Sequence, residues 1–318
     1  MIKKTYDYRK REDIIMKKKS VALLLCTMSV LFASCGKTTD AGSGVQDSTA
    51  VTEAGTETGT AETNGGNVTE AVSATEITGE FEVTLEEKTD SVSADDGTEI
   101  FRDTYNYPKV SSHKNKEAAD AIDHDIRELE KTHKTGIETM TGYAKDDYTY
   151  WKEGNTEAAA DADTELAAIF PYASESTATV ERNDAGIFSF CVYSYAFTGG
   201  AHGNYSYTGY NYDAGTGARL ALTDLAEDAD SFKQNILSDI EAQCATDAYK
   251  DLLFPEYADY LEDTVFGEDN WYLTDTGLVI TCPPYAIGPY ASGNIDFTIS
   301  YDTLKTYGLK SSYVYQAD

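Results

Sequence analysis

The stretch FTGGAHGN, Phe197–Asn204, is the part of the sequence around which the fold can be worked out. It lies between two runs rich in aromatic residues, Ile187–Ala196 and Tyr205–Tyr212. Three glycines within five residues indicate backbone that turns sharply, takes positive φ or lets another group approach closely. We therefore predict a glycine loop that joins two strands, with His202 near its centre.

Further strands are predicted on both sides of this loop. Alternating apolar and polar residues at Phe81–Leu85 and Ile295–Tyr301 are typical of strands with one buried face. Turn residues at Asn183–Gly186 and Asp275–Gly277 separate further extended segments and predict two hairpins. Because hairpins join antiparallel neighbours, we expect a mostly antiparallel sheet.

Two segments change to the period of an α-helix. Asn115–Lys131 and residues 228–246 place apolar side chains every three or four positions. Between them, we interpret residues 134–156 as a strand or a packed loop and residues 156–170 as a short helix that ends before Pro171. These elements predict an α+β fold, a mostly antiparallel sheet with helices packed on one face, in which two half-domains form one compact unit.

The N-terminus has the pattern of an export signal. A basic segment, Lys17–Lys19, precedes an apolar run, Val21–Phe32, that is shorter than the ~20 residues of a membrane span. The residues before Cys35 resemble the lipobox of bacterial lipoproteins, in which the cysteine receives lipid. We therefore predict a signal peptide with lipobox at residues 1–35 and a lipid anchor on Cys35 at the outer face of the cytoplasmic membrane. The alternative is an ordinary secretory signal that leaves Cys35 as a spare thiol.

Composition separates a tether from the folded part. Residues 36–78 are rich in Thr, Glu, Ala and Gly, and they bury too little apolar surface to offset their conformational entropy. We predict a disordered tether there. After it we predict an N-terminal α+β half at residues 79–196, a C-terminal α+β domain at residues 197–306 and a tail at residues 307–318.

Three cysteines remain beyond the tether: Cys191, Cys244 and Cys282. Each lies in an apolar run, so the simplest interpretation is three small buried residues. An odd number allows at most one disulfide among them. Because no cysteine or histidine set has the spacing of a zinc site, we predict neither a metal nor a cofactor.

The chain is strongly acidic, with a formal net charge of −30. Such a charge disfavours binding to nucleic acid or to polyanionic wall polymers, and it favours encounter with a cationic protein. Solubility and repulsion between copies explain the same charge equally well.

Three motifs follow one another in order: GGAHGN at Gly199–Asn204, LALTDL at Leu220–Leu225 and PYAIGPYASG at Pro284–Gly293. In this order they resemble the extracellular domain of RsiV-like proteins, a family of domains of unknown function. The preceding half, with YNYP at Tyr105–Pro108, looks like the companion domain found ahead of the catalytic domain in PdaC-like peptidoglycan deacetylases. The two resemblances cover about residues 80–306.

The resemblance implies a binding role. In RsiV-like anti-sigma factors the domain is a surface receptor for lysozyme, and in the deacetylases the chemistry belongs to a separate metal-dependent domain. The ligand motifs of that domain are not found in this sequence. A sigma-binding segment and a membrane span are not found either, so we expect no transmembrane signalling by that route.

His202 is the only histidine in the C-terminal half. Three roles are open to it: a turn histidine bonded to backbone groups, a residue that contacts a ligand, and the general base of a small hydrolase. Because no nucleophile motif accompanies it, we predict no catalytic residue and no enzyme. We interpret the other three histidines as solvated or locally paired side chains: His113, His124 and His133.

Tyrosine is abundant, with 24 in 318 residues. Half-buried strands favour aromatic residues, but a ring with a polar tip also suits protein and glycan interfaces. Prolines restrict the loop that carries Tyr285 and Tyr290. We therefore predict a ligand-binding set made of both loops: Gly199, Gly200, His202, Asn204, Tyr285 and Tyr290.

The sequence thus predicts a non-catalytic envelope protein that binds lysozyme or another cationic protein. The first alternative is an accessory module that binds cell-wall glycan, and the second is a small hydrolase.

Overall fold

The structure, a computed structural model, describes residues 68–154 and 166–316. In these two ranges the chain forms two sheets and four α-helices, and the larger sheet is mostly antiparallel. The predicted α+β class is confirmed.

The large sheet has seven strands in the described part of the chain. The order across it is β1 (Val68–Thr78), β2 (Glu82–Ser93), β3 (Glu99–Tyr105), β5 (Tyr172–Asn183), β6 (Ile187–Phe197) and β7 (Asn204–Asp213), while the short β4 (Lys109–Ser111) pairs with β2. Its neighbours are antiparallel except β3 and β5, which run parallel because the chain crosses the sheet between them.

That crossing is one long helix, α1 (Lys116–Gly154). The prediction of a strand or packed loop at residues 134–156 is wrong, because the helix continues to Gly154. Its buried residues Met140, Ala144 and Tyr148 are four apart and so lie on one face, where they pack against Phe170. The predicted helix at residues 156–170 falls largely outside the described residues.

β1 lies where composition predicts the end of the tether. Val68 pairs with Ser91 and Thr78 pairs with Glu82, so the segment is held by backbone hydrogen bonds to β2. This corrects the extent of the tether, because backbone pairing does not require large apolar side chains. The signal peptide, Cys35 and residues 36–67 lie outside the described residues, and so does the end of the tail.

The second sheet follows the large one in the chain. It consists of β8 (Trp271–Leu273), β9 (Gly277–Cys282) and β10 (Ile295–Ser300), all antiparallel. Around it pack α2 (Ala229–Cys244), α3 (Ala258–Val265) and α4 (Tyr301–Thr306), which bury a common core with the sheet. In the described ranges, no helix is both long and apolar enough to cross a membrane.

β6 and β7 join the two sheets. The amide of Leu273 donates to Asn211 Oδ1 at 3.1 Å, and Asn211 Nδ2 donates to the carbonyl of Trp271 at 3.0 Å. Gly209 allows this approach, since a Cβ there would lie 1.7 Å from the Trp271 carbonyl oxygen. The large sheet therefore ends with β7 at Asp213, whereas the predicted boundary between the two half-domains follows residue 196. The position of the domain boundary itself stays a prediction.

A buried arginine ties the last described segment to the large sheet. The Arg182 side chain is 1% exposed and pairs with Asp184 at 2.7 Å. Its Nη1 donates to the Tyr301 hydroxyl at 2.6 Å and to the Tyr313 carbonyl at 2.7 Å.

The three cysteines are buried and unpaired, as the apolar runs predict. Burial raises the pKa of the Cys191 and Cys282 thiols, so both stay protonated.

Candidate functional site

The glycine loop and the proline-rich loop lie against each other. The His202 ring stacks on the Tyr290 ring with centroids 4.0 Å apart and planes inclined by 23°. The Tyr290 hydroxyl donates to the Gly203 carbonyl at 2.9 Å, across 87 residues of sequence. The structure thus brings together the two segments that the sequence predicts to bind a ligand.

The glycines of the first loop serve two different needs. Gly199 and Gly200 have φ of +83° and +111°, which L side chains rarely adopt. Gly203 is required for space, since a Cβ there would lie 2.4 Å from the Tyr195 ring. Gly199 and Gly200 therefore shape the loop, and His202 presents an aromatic side chain to solvent.

The proline-rich loop exposes the side chain of one tyrosine, and the backbone of that tyrosine is strained. Tyr285 has φ of +70°, a conformation that costs a non-glycine residue about 1 kcal/mol. Its amide donates to the Gly288 carbonyl at 3.0 Å, which closes the turn. The side chain is 56% exposed, and its ring lies 5.7 Å from that of Tyr290. The loop therefore holds an apolar ring in solvent.

Ring contacts continue from the loops onto the large sheet. Tyr290 meets Tyr205 edge-on at 5.9 Å, and Tyr205 lies 6.0 Å from Tyr193. Tyr193 in turn lies 5.2 Å from Tyr207. We call this set the tyrosine surface: Tyr193, His202, Tyr205, Tyr207, Tyr285 and Tyr290.

His202 has the partners of a turn histidine. Its Nδ1 lies 2.9 Å from the Gly203 carbonyl oxygen, which accepts, so Nδ1 carries the proton. Its other partner is the Tyr290 ring rather than a carboxylate. Asn204 is exposed at the start of β7, beside the loop. The geometry thus agrees with the first of the three roles and leaves the Nε2 edge of the ring for contact with a ligand.

Two hydroxyls of the tyrosine surface, those of Tyr205 and Tyr290, remain protonated at neutral pH. Burial raises the pKa of both Tyr205 and Tyr290 above the ordinary value. A protonated phenol can donate as well as accept a hydrogen bond. The surface therefore offers ring faces and neutral polar tips.

A buried polar cluster lies on the opposite face of the sheet, and it was not predicted from the sequence. His133 Nε2 lies 2.9 Å from Asp103 Oδ2, and its Nδ1 lies 3.3 Å from Ser176 Oγ. The rings of Tyr105 and Tyr107 flank the imidazole at 5.1 and 5.7 Å. Less than a tenth of each residue of this cluster is exposed: Asp103, His133 and Ser176. The cluster therefore faces the interior, where it connects the sheet to α1.

A sequence signal for this cluster did exist. His133 follows Ile126 by seven residues and precedes Met140 by seven, so all three lie on the buried face of one helix. Because the helix was predicted to end at Lys131, His133 was interpreted as solvated or locally paired. It is paired, but inside the core.

In the two described ranges, no group of three His, Cys, Asp or Glu side chains has an arrangement that could hold a metal ion.

Two segments of the chain match family models, and the fold resembles that of a solved structure. Residues 94–205 match the family model described as Deacetylase PdaC, and residues 223–302 match the model of a protein family of unknown function, DUF3298. The first covers β3 to the start of β7 with α1, and the second covers all three strands of the second sheet with α2 and α3. None of the curated proteins compared with this chain matches it.

Solved structures that match include two DUF3298 family members. One, from Bacteroides fragilis, is 17% identical, with 73% of this chain and 94% of that chain covered at a TM-score of 0.50. The other, from Pseudomonas aeruginosa, is 17% identical, with 80% and 98% covered at a TM-score of 0.42. The first likeness shows a shared fold.

Proposed function

We propose that this chain is a lipid-anchored protein of the cell envelope whose tyrosine surface binds a cationic protein such as lysozyme, without catalysis. The observation that carries the proposal is the stack of His202 on Tyr290, which joins two distant motifs into one exposed aromatic surface. Both motifs belong to the set that resembles RsiV-like domains.

The chemistry of the surface suits a protein partner. Exposed tyrosines supply apolar area with few rotatable bonds and dominate many interfaces. The rigid setting of Tyr285 and Tyr290 lowers the entropy lost on binding. A chain of net charge −30 attracts a basic partner over a distance of about one Debye length, roughly 8–10 Å.

Residues 94–205 match a family model described as Deacetylase PdaC. We assign the matched half to the companion domain rather than to a catalytic domain. Two histidines of this half lie near a carboxylate. His133 is buried with Asp103, so substrates have no access to it, and the exposed His113 lies 3.8 Å from Glu82. We further propose that lipid on Cys35 holds the folded part outside the cytoplasmic membrane.

Calorimetric titration with hen-type lysozyme tests the proposal. The exported chain, with Cys35→Ser so that it remains in solution, is titrated at about 0.02 M and about 0.3 M salt. We expect saturable binding that weakens with salt. No binding heat at either salt concentration would overturn the proposal.

A matched pair of variants locates the contact. We expect Tyr290→Ala to weaken binding at least about tenfold, as for a central interface residue. Tyr150→Ala serves as the control, because Tyr150 is 55% exposed but lies on α1, on the opposite face of the sheet. Equal effects of the two variants would contradict the assignment of the surface.

A second candidate is a wall-glycan accessory module. The unbroken ring contacts from Tyr285 to Tyr207 favour it, because sugar rings stack on aromatic faces. Binding of neutral glycan fragments without salt dependence, and no binding of lysozyme, would support this function instead.

A further inference from the structure

We propose that the open face of the large sheet, next to the loops, contains a docking position for one arginine side chain of the partner, formed by the Glu175 carboxylate and the rings of Tyr193, Tyr195 and Tyr207. The inference rests on the proposed function, in that it names the chemistry of the partner at the same surface.

The strand register puts these residues on one face. Glu175 on β5 is paired with Tyr195 on β6, and Tyr195 is paired with Tyr205 on β7. In the next row, Thr177 is paired with Tyr193, and Tyr193 with Tyr207. Directly paired residues point to the same side of a sheet, so the carboxylate stands beside two rows of tyrosines.

This face is the one that α1 does not cover, and the second sheet packs on it farther along β6 and β7, at Ser189, Gly209 and Asn211. The alternate residues Ser176 and Val192 point to the other side, where they meet His133 and the core under α1. Glu175 and the three tyrosines are only half-buried. A side chain arriving from solvent can therefore reach them.

The Glu175 carboxylate is oriented but not neutralised. The Thr177 hydroxyl donates to Glu175 Oε1 at 2.9 Å and fixes the carboxylate. In the described part of the chain no Lys, Arg or His nitrogen lies within 4.0 Å of it. Arg102 is the nearest basic residue by register, since it is paired with Ala173, and it is bound to Glu99 by two hydrogen bonds.

The tyrosines around it stay neutral. Burial raises the pKa of the Tyr193 and Tyr195 hydroxyls, and the Glu175 charge raises both further. The hydroxyls of Tyr195 and Tyr205 are bonded to the backbone of Gly203 and Asn294. Within the described residues the hydroxyls of Tyr193 and Tyr207 make no hydrogen bond, and these two rings remain the adaptable part of the site.

Neutral aromatic rings beside a carboxylate are a setting for a cation. A guanidinium can lie over a ring face while its N–H groups reach the carboxylate, and its planar shape makes it better suited than an ammonium. The same chain already uses this combination internally. Arg219 lies 4.5 Å from the centre of the Tyr210 ring and donates to Asp269 Oδ1 at 2.6 Å.

The arginine position adjoins the two loops of the tyrosine surface. Tyr205 touches both Tyr290 and Tyr193, so a partner seated on the His202–Tyr290 stack lies within two rings of Glu175. A basic protein that docks on the loops is thereby placed to insert one arginine between the rows.

The test uses Glu175→Gln in the same exported chain, with hen-type lysozyme and a capped tetra-arginine peptide as separate probes. We expect the peptide to bind about five- to tenfold more weakly to the variant, and the salt dependence of lysozyme binding to fall. Glu138→Gln is the matched control, because it removes the same charge from an exposed position on α1.

The ring contribution is tested at Tyr193. Tyr193→Phe keeps the ring and should retain peptide binding, whereas Tyr193→Leu should lose it, with circular dichroism confirming that both fold. Equal peptide affinity for the wild type and Glu175→Gln overturns the inference. Displacement of the peptide by a neutral sugar oligomer would assign the face to glycan and would also overturn it.

The two proposals fail separately. If lysozyme does not bind but the peptide binds and depends on Glu175, the lysozyme proposal falls and the arginine position stands. If lysozyme binds and neither probe responds to Glu175→Gln, the proposed function stands and the arginine position falls.

Discussion

His202 and His133 both lie against tyrosine rings, the first in solvent and the second in the core. His202 stacks on Tyr290 and hydrogen-bonds the adjacent carbonyl, and losing these contacts exposes nothing that water cannot satisfy. His133 joins Asp103 and Ser176 where water does not reach, so each partner depends on the other two.

This difference suggests that buried contacts such as those of His133 determine stability, whereas exposed contacts such as those of His202 are available for binding. Buried polar groups are costly when one partner is removed, whereas exposed contacts contribute little to folding. A surface whose residues contribute little to stability is free to be shaped for a partner. The following variants test this separation, from the largest expected effect to the smallest.

The largest effect is expected from His133→Ala. It leaves the Asp103 carboxylate buried without its partner, and we expect the free energy of unfolding to fall by about 3 kcal/mol. Urea titration followed by circular dichroism measures it. A loss no larger than that of an exposed histidine would show that the cluster is not closed to water.

Gly203→Ala should have the next largest effect, and it acts beneath the exposed loop, where Gly203 is buried. Its Cβ would lie 2.4 Å from the Tyr195 ring, which has to move. We expect a loss of about 2 kcal/mol in stability and weaker lysozyme binding. Gly200→Ala is the control, since nothing lies within 4 Å of its Cβ and its cost of about 1 kcal/mol comes from φ alone.

The pH dependence of stability in Glu130→Gln tests the buried region. Burial alone would raise the pKa of Glu130, but the ammonium groups of Lys134 and Lys88 outweigh it and hold the pKa below the ordinary value. A carboxyl with a depressed folded pKa stabilises above its unfolded pKa, about 4.3, and this stability is lost as pH falls through the folded pKa.

We therefore expect Glu130→Gln to be less stable than the wild type by about 1–2 kcal/mol at pH 7. The difference should shrink below pH ~4. Urea titrations at pH 7 and at pH 3 measure both values. A difference that does not change between them would contradict the assigned role of the two lysines.

The smallest effect on stability is expected from His202→Ala, less than about 1 kcal/mol. Its effect on lysozyme binding should nevertheless be several-fold, because the stack that orders Tyr290 is lost. Thermal unfolding and calorimetry on the same sample compare the two. A variant that unfolds readily but binds normally would reverse the comparison on which these predictions rest.

Local patterns were enough for much of the fold. The glycine loop, both hairpins and α2 follow from turn residues and from periodicity within one element. The site was predictable as two separate loops, because glycines and prolines mark loops that a backbone must build in a special way. That His202 would lie on Tyr290 was not predictable, since the contact spans 88 positions and depends on how the second sheet seats on β7.

Other features depend on tertiary contacts that no local pattern encodes. α1 continues past Lys131 because its residue Tyr148 packs against Phe170, which follows the helix in sequence. β1 forms because β2 offers it backbone partners. The tyrosine rows on the sheet need the register of three strands, and Glu175 joins them only through that register.

Arg182 links the folding of this protein to the completion of its synthesis. The arginine is made near the middle of the chain, but its acceptors Tyr301 and Tyr313 follow 119 and 131 residues later. Until those residues have emerged, the guanidinium lacks these two acceptors and has Asp184, two residues away, as its partner. A chain cut short before Tyr313 loses part of this coordination, so a small defect at one end is felt at the middle of the protein.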